Sequence, residues 1–363
     1  MAKLTKNNYK RFTRKNLLPN ADGSKPYSAA AEHIFQQNLQ LLDRFHKYYD
    51  CLQDFRKNRE RCKNYYFGDQ LSDKVPDPQG CGLVSEEELM KRQGITPMSL
   101  NIIRKAVKAV LGVYCQSNFE PLAIARDRDE QKLGEMMSVA MEYVYQNQNL
   151  PEINTRGCEE FLLSAMPGFR VGFDINQERK SSDVVVSLID DNRIGFDPNT
   201  TGQYFENISC IGYLHDMSIG EVLAKFAHTP AETMQIRQIY QDCNAQYPIT
   251  GQTFNKDTRR SQMDFYRPLH PEQCRVIEIW TKEQFDSFYC HDTAKGEQYF
   301  VGIADEQDII AENNRRVLEM VQAGGTAEDA ALIDYEYRVE EKWVVRYLTP
   351  TGYVLLQEET PYA

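Results

Sequence analysis

Apolar residues in the stretch Ile95 to Pro121, ITPMSLNIIRKAVKAVLGVYCQSNFEP, recur at helical spacing. Leu100, Ile103, Val107, Val110, Leu111 and Tyr114 stand three and four apart, while Asn101, Arg104, Lys105 and Lys108 occupy another stripe. The pattern predicts an amphipathic helix with one apolar and one basic face, entered after Thr96-Pro97 through Met98 or Ser99 and ended at Pro121. Upstream, Ser28 reads as the cap of a helix running to about Asn64, with Leu41, Phe45, Tyr48, Leu52 and Phe55 as its packing stripe. Its other side carries Arg44, Lys47, Arg56, Lys57 and Arg61. The aromatic cluster Tyr65-Tyr66-Phe67 ends in a turn at Gly68, and a Pro/Gly loop spans Asp73 to Gly82. Downstream, Asp127 to Asn149 reads as a second helix, with Leu133, Met137, Ala140 and Val144 on one side and Pro151 closing it. A third covers Ile153 to Met166 and breaks at Pro167-Gly168.

The period then changes from helical to two. Phe169, Val171, Phe173 and Ile175 alternate with polar positions, and Val184 to Ile189 returns as the partner strand of a hairpin. Ile208 to His215 reads as a strand. Ser218-Ile219-Gly220-Glu221 is a capping box opening a helix to about Phe226, and Thr229-Pro230-Ala231-Glu232 opens another. From Ala245 to His270 the pattern is lost, which predicts a linker and a domain boundary. Beyond it, Cys274 to Trp280 and Phe285 to Cys290 read as two strands, and Asp305 to Ala323 as a helix stopped by Gly324-Gly325, with a short helix after Thr326. Trp343 to Leu348 and Tyr353 to Gln357 flank Thr349-Pro350-Thr351-Gly352, a hairpin turn. The fold class expected is α+β.

Charge divides the chain. Residues 1–64 hold fourteen Lys or Arg against six Asp or Glu, net +8, whereas the remainder holds 28 against 47, net −19. An acidic body repels nucleic acid at long range, so tight duplex binding by the body is disfavoured; the basic arm could bind nucleic acid or an acidic partner. With 41% hydrophobic residues in a chain of 363, one large or two ordinary domains can be filled. No run of eighteen apolar residues and no apolar signal segment occurs, so no membrane association is expected and the protein should be soluble and intracellular when made. Nine cysteines without C-x-x-C spacing signal neither a disulfide framework nor a zinc site.

Asp190, Asp191 and Asp197 fall within eight residues, and clustered carboxylates bind hard cations and share protons. No His or further Glu accompanies them at ligand spacing, and Asp197-Pro198-Asn199 has turn chemistry of its own. Cys290-His291-Asp292 contains the residue types of a thiol site, but neighbouring side chains on a strand point to opposite faces. Phosphate-loop, dinucleotide, zinc-protease and nucleophile-elbow motifs are absent from the sequence. No catalytic, cofactor-binding or metal-ligating residue is therefore assigned.

The progression from Leu100-Asn101-Ile102-Ile103-Arg104-Lys105 through Asn118 to Arg126-Asp127 resembles the early wing region of tailed-bacteriophage portal proteins, closest to the short-tailed-phage type. The hairpin after the third helix and the Phe196-Asp197-Pro198 element resemble further parts of that wing. The resemblance implies an arm and helix over 1–64, a wing-like α+β domain over 65–270 and a stem/clip-like region of strands and helix over 271–363. It implies a head-to-tail connector of the virion: a homo-oligomeric ring, usually dodecameric, at one capsid vertex, through which double-stranded DNA is packaged and ejected. Its partners would be terminase, the capsid and tail or adaptor proteins, and it would be made in the host bacterial cytoplasm. Portals continue into a second stem helix and further wing or crown, so the chain is expected to lack its C-terminal part. Two other readings stand beside this one: a metal-dependent nucleic-acid enzyme using Asp190, Asp191 and Asp197, and a helical adaptor that binds protein through the helix over residues 28–64.

Overall fold

The computed structural model describes residues 29–359 except 79, 81, 117–120, 177–180, 201–206, 246–264, 269, 271, 323 and 327–330. The chain divides into two compact units, Tyr49–Ile194 and Met1–Tyr48 with Gly195–Ala363. Helices and strands are mixed in an α+β arrangement, as the pattern predicts.

The smaller unit is mainly helical. The single helix predicted from Ser28 to Asn64 is two, α1 (Ala29–Cys51) and α2 (Gln53–Phe67), and Ser28 itself lies outside the described residues. The break falls at Leu52, whose amide turns back to the Tyr49 carbonyl at 3.2 Å, while the Arg56 guanidinium lies 3.6 Å over the Tyr49 ring. Gly68 at φ 102 then ends α2 in the left-handed conformation that glycine adopts without strain. The predicted Pro/Gly loop contains a short antiparallel pair, β1 (Lys74–Pro76) and β2 (Leu83–Ser85). Ser85 caps α3 (Glu86–Arg92), a helix absent from the sequence reading.

The amphipathic helix, α4, spans Ile102–Gln116, so its predicted start is several residues early. The cap is Asn101: its side-chain oxygen accepts from the Arg104 amide at 3.0 Å, and its amide group donates to the Tyr66 carbonyl at 2.7 Å. Helix α5 covers Gln131–Asn147. Pro151 does not close it but sits in the first turn of α6 (Leu150–Ser164), where a missing amide costs nothing. Asn149 at φ 51 makes the turn between them. Helix α6 is central, touching α2, α4, α5 and the second strand of the hairpin β3 (Gly168–Asn176) and β4 (Ser181–Ile189). That hairpin has the predicted pairing, from Gly168 opposite Ile189 to Asn176 opposite Ser181.

The larger unit is built on a six-stranded sheet of order β10-β9-β7-β6-β5, with β8 also paired to β7. Its strands are β5 (Ile194–Phe196), β6 (Cys210–Ser218), β7 (Gln273–Asp292), β8 (Glu297–Gly302), β9 (Ile333–Leu348) and β10 (Val354–Glu359). The two strands predicted between Cys274 and Cys290 are one continuous strand, because polar Lys282, Glu283 and Gln284 keep ladder partners in β9. Strand β8 was not predicted. The linker expected from Ala245 to His270 lies outside the described residues over 246–264, as do residues 327–330 of the short helix expected after Thr326. One sheet thus holds strands from both sides of position 270.

Two helices, α7 (Ile219–Phe226) and α8 (Pro230–Ala245), cover the near end of the sheet. The predicted capping box forms, with Ser218 and Glu221 each bonding the other's backbone amide. Val222, Phe226, Ile236 and Ile239 bury against Val276, Val345 and Leu355. At the far end, α9 (Glu306–Gln322) closes a smaller core of Cys290, Ile309 and Ile333. Residues 29–48 of α1 approach the sheet so closely that a Cβ on Gly212 would stand 2.5 Å from both the Phe45 ring and the Glu278 carbonyl oxygen.

Candidate assembly surface

Helix α4 has the predicted apolar face, but among the described residues of its own unit much of that face is left uncovered. Leu111 is buried and Val107 half-buried, whereas Ile102, Ile103, Val110 and Val113 are exposed. The segments before and after the helix are more exposed still: Met98 is 90% accessible and Ile124 82%, and Leu100 and Leu122 project similarly. On α5, Leu133, Met136 and Val139 add to this surface. A protein that stayed monomeric in water would rarely show so many large apolar side chains in one unit.

The surface is held in place. The Ser138 hydroxyl accepts from the Ala123 amide at 3.1 Å and lies 3.2 Å from the Ala123 carbonyl, fixing the extended segment on α5. Gly134 permits that approach, since a Cβ there would meet the Ala125 backbone nitrogen at 3.2 Å. The basic stripe beside it is anchored at two points: Lys108 reaches Glu159 at 3.4 Å, and Arg104 lies 5.9 Å over the Tyr66 ring.

Charged groups inside the unit join α2, α6 and the end of the hairpin. Arg59 of α2, 6% exposed, meets Glu160 at 3.0 Å, Asp191 at 3.2 Å and Asp190 at 3.5 Å, and Lys63 adds a second cation to Glu160 at 2.7 Å. The Ser164 hydroxyl donates to Asp191 at 3.0 Å. Burial raises the Asp191 pKa above the ordinary value, against the opposing pull of Ser164 and Arg59. Glu159 is lowered, chiefly by the Tyr66 hydroxyl that donates to it at 2.5 Å.

The three carboxylates singled out in the sequence therefore have separate structural roles. Asp190 caps the turn through the Asn192 amide at 3.1 Å, and Asp191 is buried against Ser164 and Arg59. Asp197 belongs to the other unit and accepts from Ser209 at 2.6 Å and the Asn199 amide at 3.0 Å, the turn chemistry expected of it. Burial alone would raise its pKa, but these bonds outweigh it and hold the group below the usual range. Among the described residues, no group of three or more His, Cys, Asp or Glu could hold a metal ion. In the other cluster, Cys290 is buried beneath α9, Asp292 pairs with Arg316, and burial raises the thiol pKa. Arg59 and Glu160 escaped the sequence reading because nothing local marks residues that meet only through the packing of α2 on α6.

A model of the phage P22-like portal protein family matches residues 42–363, a span that takes in both the uncovered helix and the six-stranded sheet. The chain belongs to the phage P22-like portal protein family. A search of curated proteins gave no match. The family is structural rather than enzymatic, and it implies a head-to-tail connector, an oligomeric ring at the capsid vertex with capsid and packaging partners. Among the described residues, no helix of this portal protein is long and apolar enough to cross a membrane.

Proposed function

We propose that the chain acts as a portal protomer whose copies close into a ring, dodecameric by the family's usual number, around a channel for double-stranded DNA. Terminase docks on that ring during packaging, and tail or adaptor proteins take its place afterwards. The observation that carries this reading is the uncovered apolar surface of α4, α5 and their flanking segments in a chain matched by the portal family. A ring subunit buries such a surface against its neighbour, which a monomer cannot do. The acidic body suits a channel, because DNA must slide past without its phosphates being gripped. Residues 65–270 serve as the wing-like region and 271–363 as the stem/clip-like region, with 1–64 as the arm and helix leading into them.

Sedimentation velocity and electron microscopy of purified protein test the proposal. Wild type should form rings, and Val113→Asp and Leu122→Asp should reduce association at least tenfold while changing the monomer's thermal melt little. Wild type that stays monomeric at high concentration would overturn the ring reading. Rings formed equally well by both variants would overturn the assignment of the surface.

A further inference from the structure

The sheet of the larger unit narrows at its far end to three strands, β8-β7-β9. Ser287 of β7 faces Gly302 on one side and Arg338 on the other, so β8 and β9 occupy opposite edges. Both run antiparallel to β7, which makes them parallel to each other. Strand β10 covers the outer edge of β9 only from Val344 to Leu348. Among the described residues, no strand pairs with that edge from Ile333 to Trp343, or with the outer edge of β8. An unpaired row of backbone amides and carbonyls is a template for another strand, and natural edges are usually guarded by proline, bulges, charged side chains or short length. The β9 edge has no proline and no interruption in its ladder to β7; its charged residues Glu336 with Arg338 and Glu340 with Lys342 are paired within the strand, and it exposes Tyr335, Tyr337 and Val339.

The geometry points to a second copy of this chain as the occupant: the free edge of β9 pairs in parallel with the outer edge of β8 of the next subunit, joining the three-stranded ends into one closed sheet. This rests on the ring reading. A cyclic assembly is heterologous, so each subunit must present two different, complementary surfaces on opposite sides. The edges of β8 and β9 are such a pair. Rotation about the ring axis carries one sheet beside the next without reversing its strands, which makes the joint parallel.

Side chains also match across it. Val301 and Tyr337 both face Phe288, Tyr299 and Tyr335 both face Cys290, and Phe300 and Glu336 both face Tyr289. Residues at one height therefore share a face of the sheet, and the joint sets Val301 and Tyr299 beside Tyr337 and Tyr335. Strand tilt can shift this register only in steps of two, because a slip of one residue turns every side chain to the other face.

Cross-linking the full-length chain tests the joint. Phe300→Cys and Glu336→Cys replace exposed residues on the face away from α9. With a short bis-maleimide, the double variant should give a ladder of covalent multimers beyond the wild-type background. A mixture of the two single variants should give only dimers, and each single variant alone only background. Gln298→Cys, opposite His291, with Glu336→Cys, opposite Tyr289, covers a register shifted by one step of two residues. Rings visible by electron microscopy without cross-linking by either pair would overturn the joint and leave the ring standing. Dimers from one single variant alone would show like edges pairing and overturn it too. A ladder without rings would support the pairing and overturn closure, and neither rings nor products would remove both.

Discussion

A buried carboxylate is tolerated when a cation and further donors replace its water. Asp292, 1% exposed, receives two bonds of 2.7 Å from Arg316 and one of 3.0 Å from the Ala294 amide. The Arg316 hydrogen bond above all holds its pKa down to about 2, against the ordinary 3.8. A depressed folded pKa means that the unfolded chain binds the proton more readily. The contribution, on the order of 2 kcal/mol, is thus present above pH about 4 and lost as pH falls toward 2. Asp292→Asn should lower stability by roughly that amount at neutral pH and by little near pH 2, as urea melts across that range would show. Asp191 has the opposite sign. Its folded pKa is raised by burial, so its contribution is present below the ordinary carboxylate pKa and lost as pH rises through the folded value. Asp191→Asn should therefore compare more favourably with wild type as pH rises from 4 to 7, and a difference that stayed flat would contradict the assignment. Nothing in the local sequence marks Asp191 as buried; its burial comes from Ser164 and Arg59, residues remote along the chain.

At the scale of elements, local chemistry was legible and packing was not. The capping box at Ser218 and Glu221, the β3-β4 hairpin and the Thr349 to Gly352 turn depend on residues near one another in sequence, and each forms as read. The length of β7 depends instead on β9, which supplies ladder partners to a polar stretch that breaks the alternation by itself. The face of α4 was legible as apolar, yet which of its residues are internal was set by α6 and α2. Leu111, not Val107, is the buried anchor, so Leu111→Ala should cost about 2–5 kcal/mol in urea melts. Val107→Asp, at a half-buried position, should cost less than a fully interior charge would. Gly212→Ala probes the approach of α1 to the sheet: a Cβ 2.5 Å from the Glu278 carbonyl oxygen cannot be accommodated without backbone movement. A cost of about 1–3 kcal/mol is expected, and a melt unchanged from wild type would show that the approach is looser.

For the whole molecule, charge and apolar surface act on assembly in different ways. Beyond residue 64 each subunit carries net −19, so identical bodies brought together repel, whereas residues 1–64 carry net +8 and are attracted to the body of a neighbour. The apolar surface around α4 supplies short-range burial that is insensitive to simple salt at moderate concentration. Deleting residues 1–26, which removes Lys3, Lys6, Lys10, Arg11, Arg14, Lys15 and Lys25, should therefore weaken association most at low ionic strength. The difference from wild type should shrink as salt approaches 0.5 M, where the Debye length is only about 4 Å. Val113→Asp, by contrast, should weaken association at every salt concentration, because what it disrupts is contact and not a long-range field. The basic arm could instead bind DNA, and salt would weaken that as well, so the measurement is sedimentation with no nucleic acid present. If removing the arm leaves subunit association unchanged while abolishing binding of a short duplex, the arm serves DNA, and the apolar surface must overcome the repulsion between bodies alone.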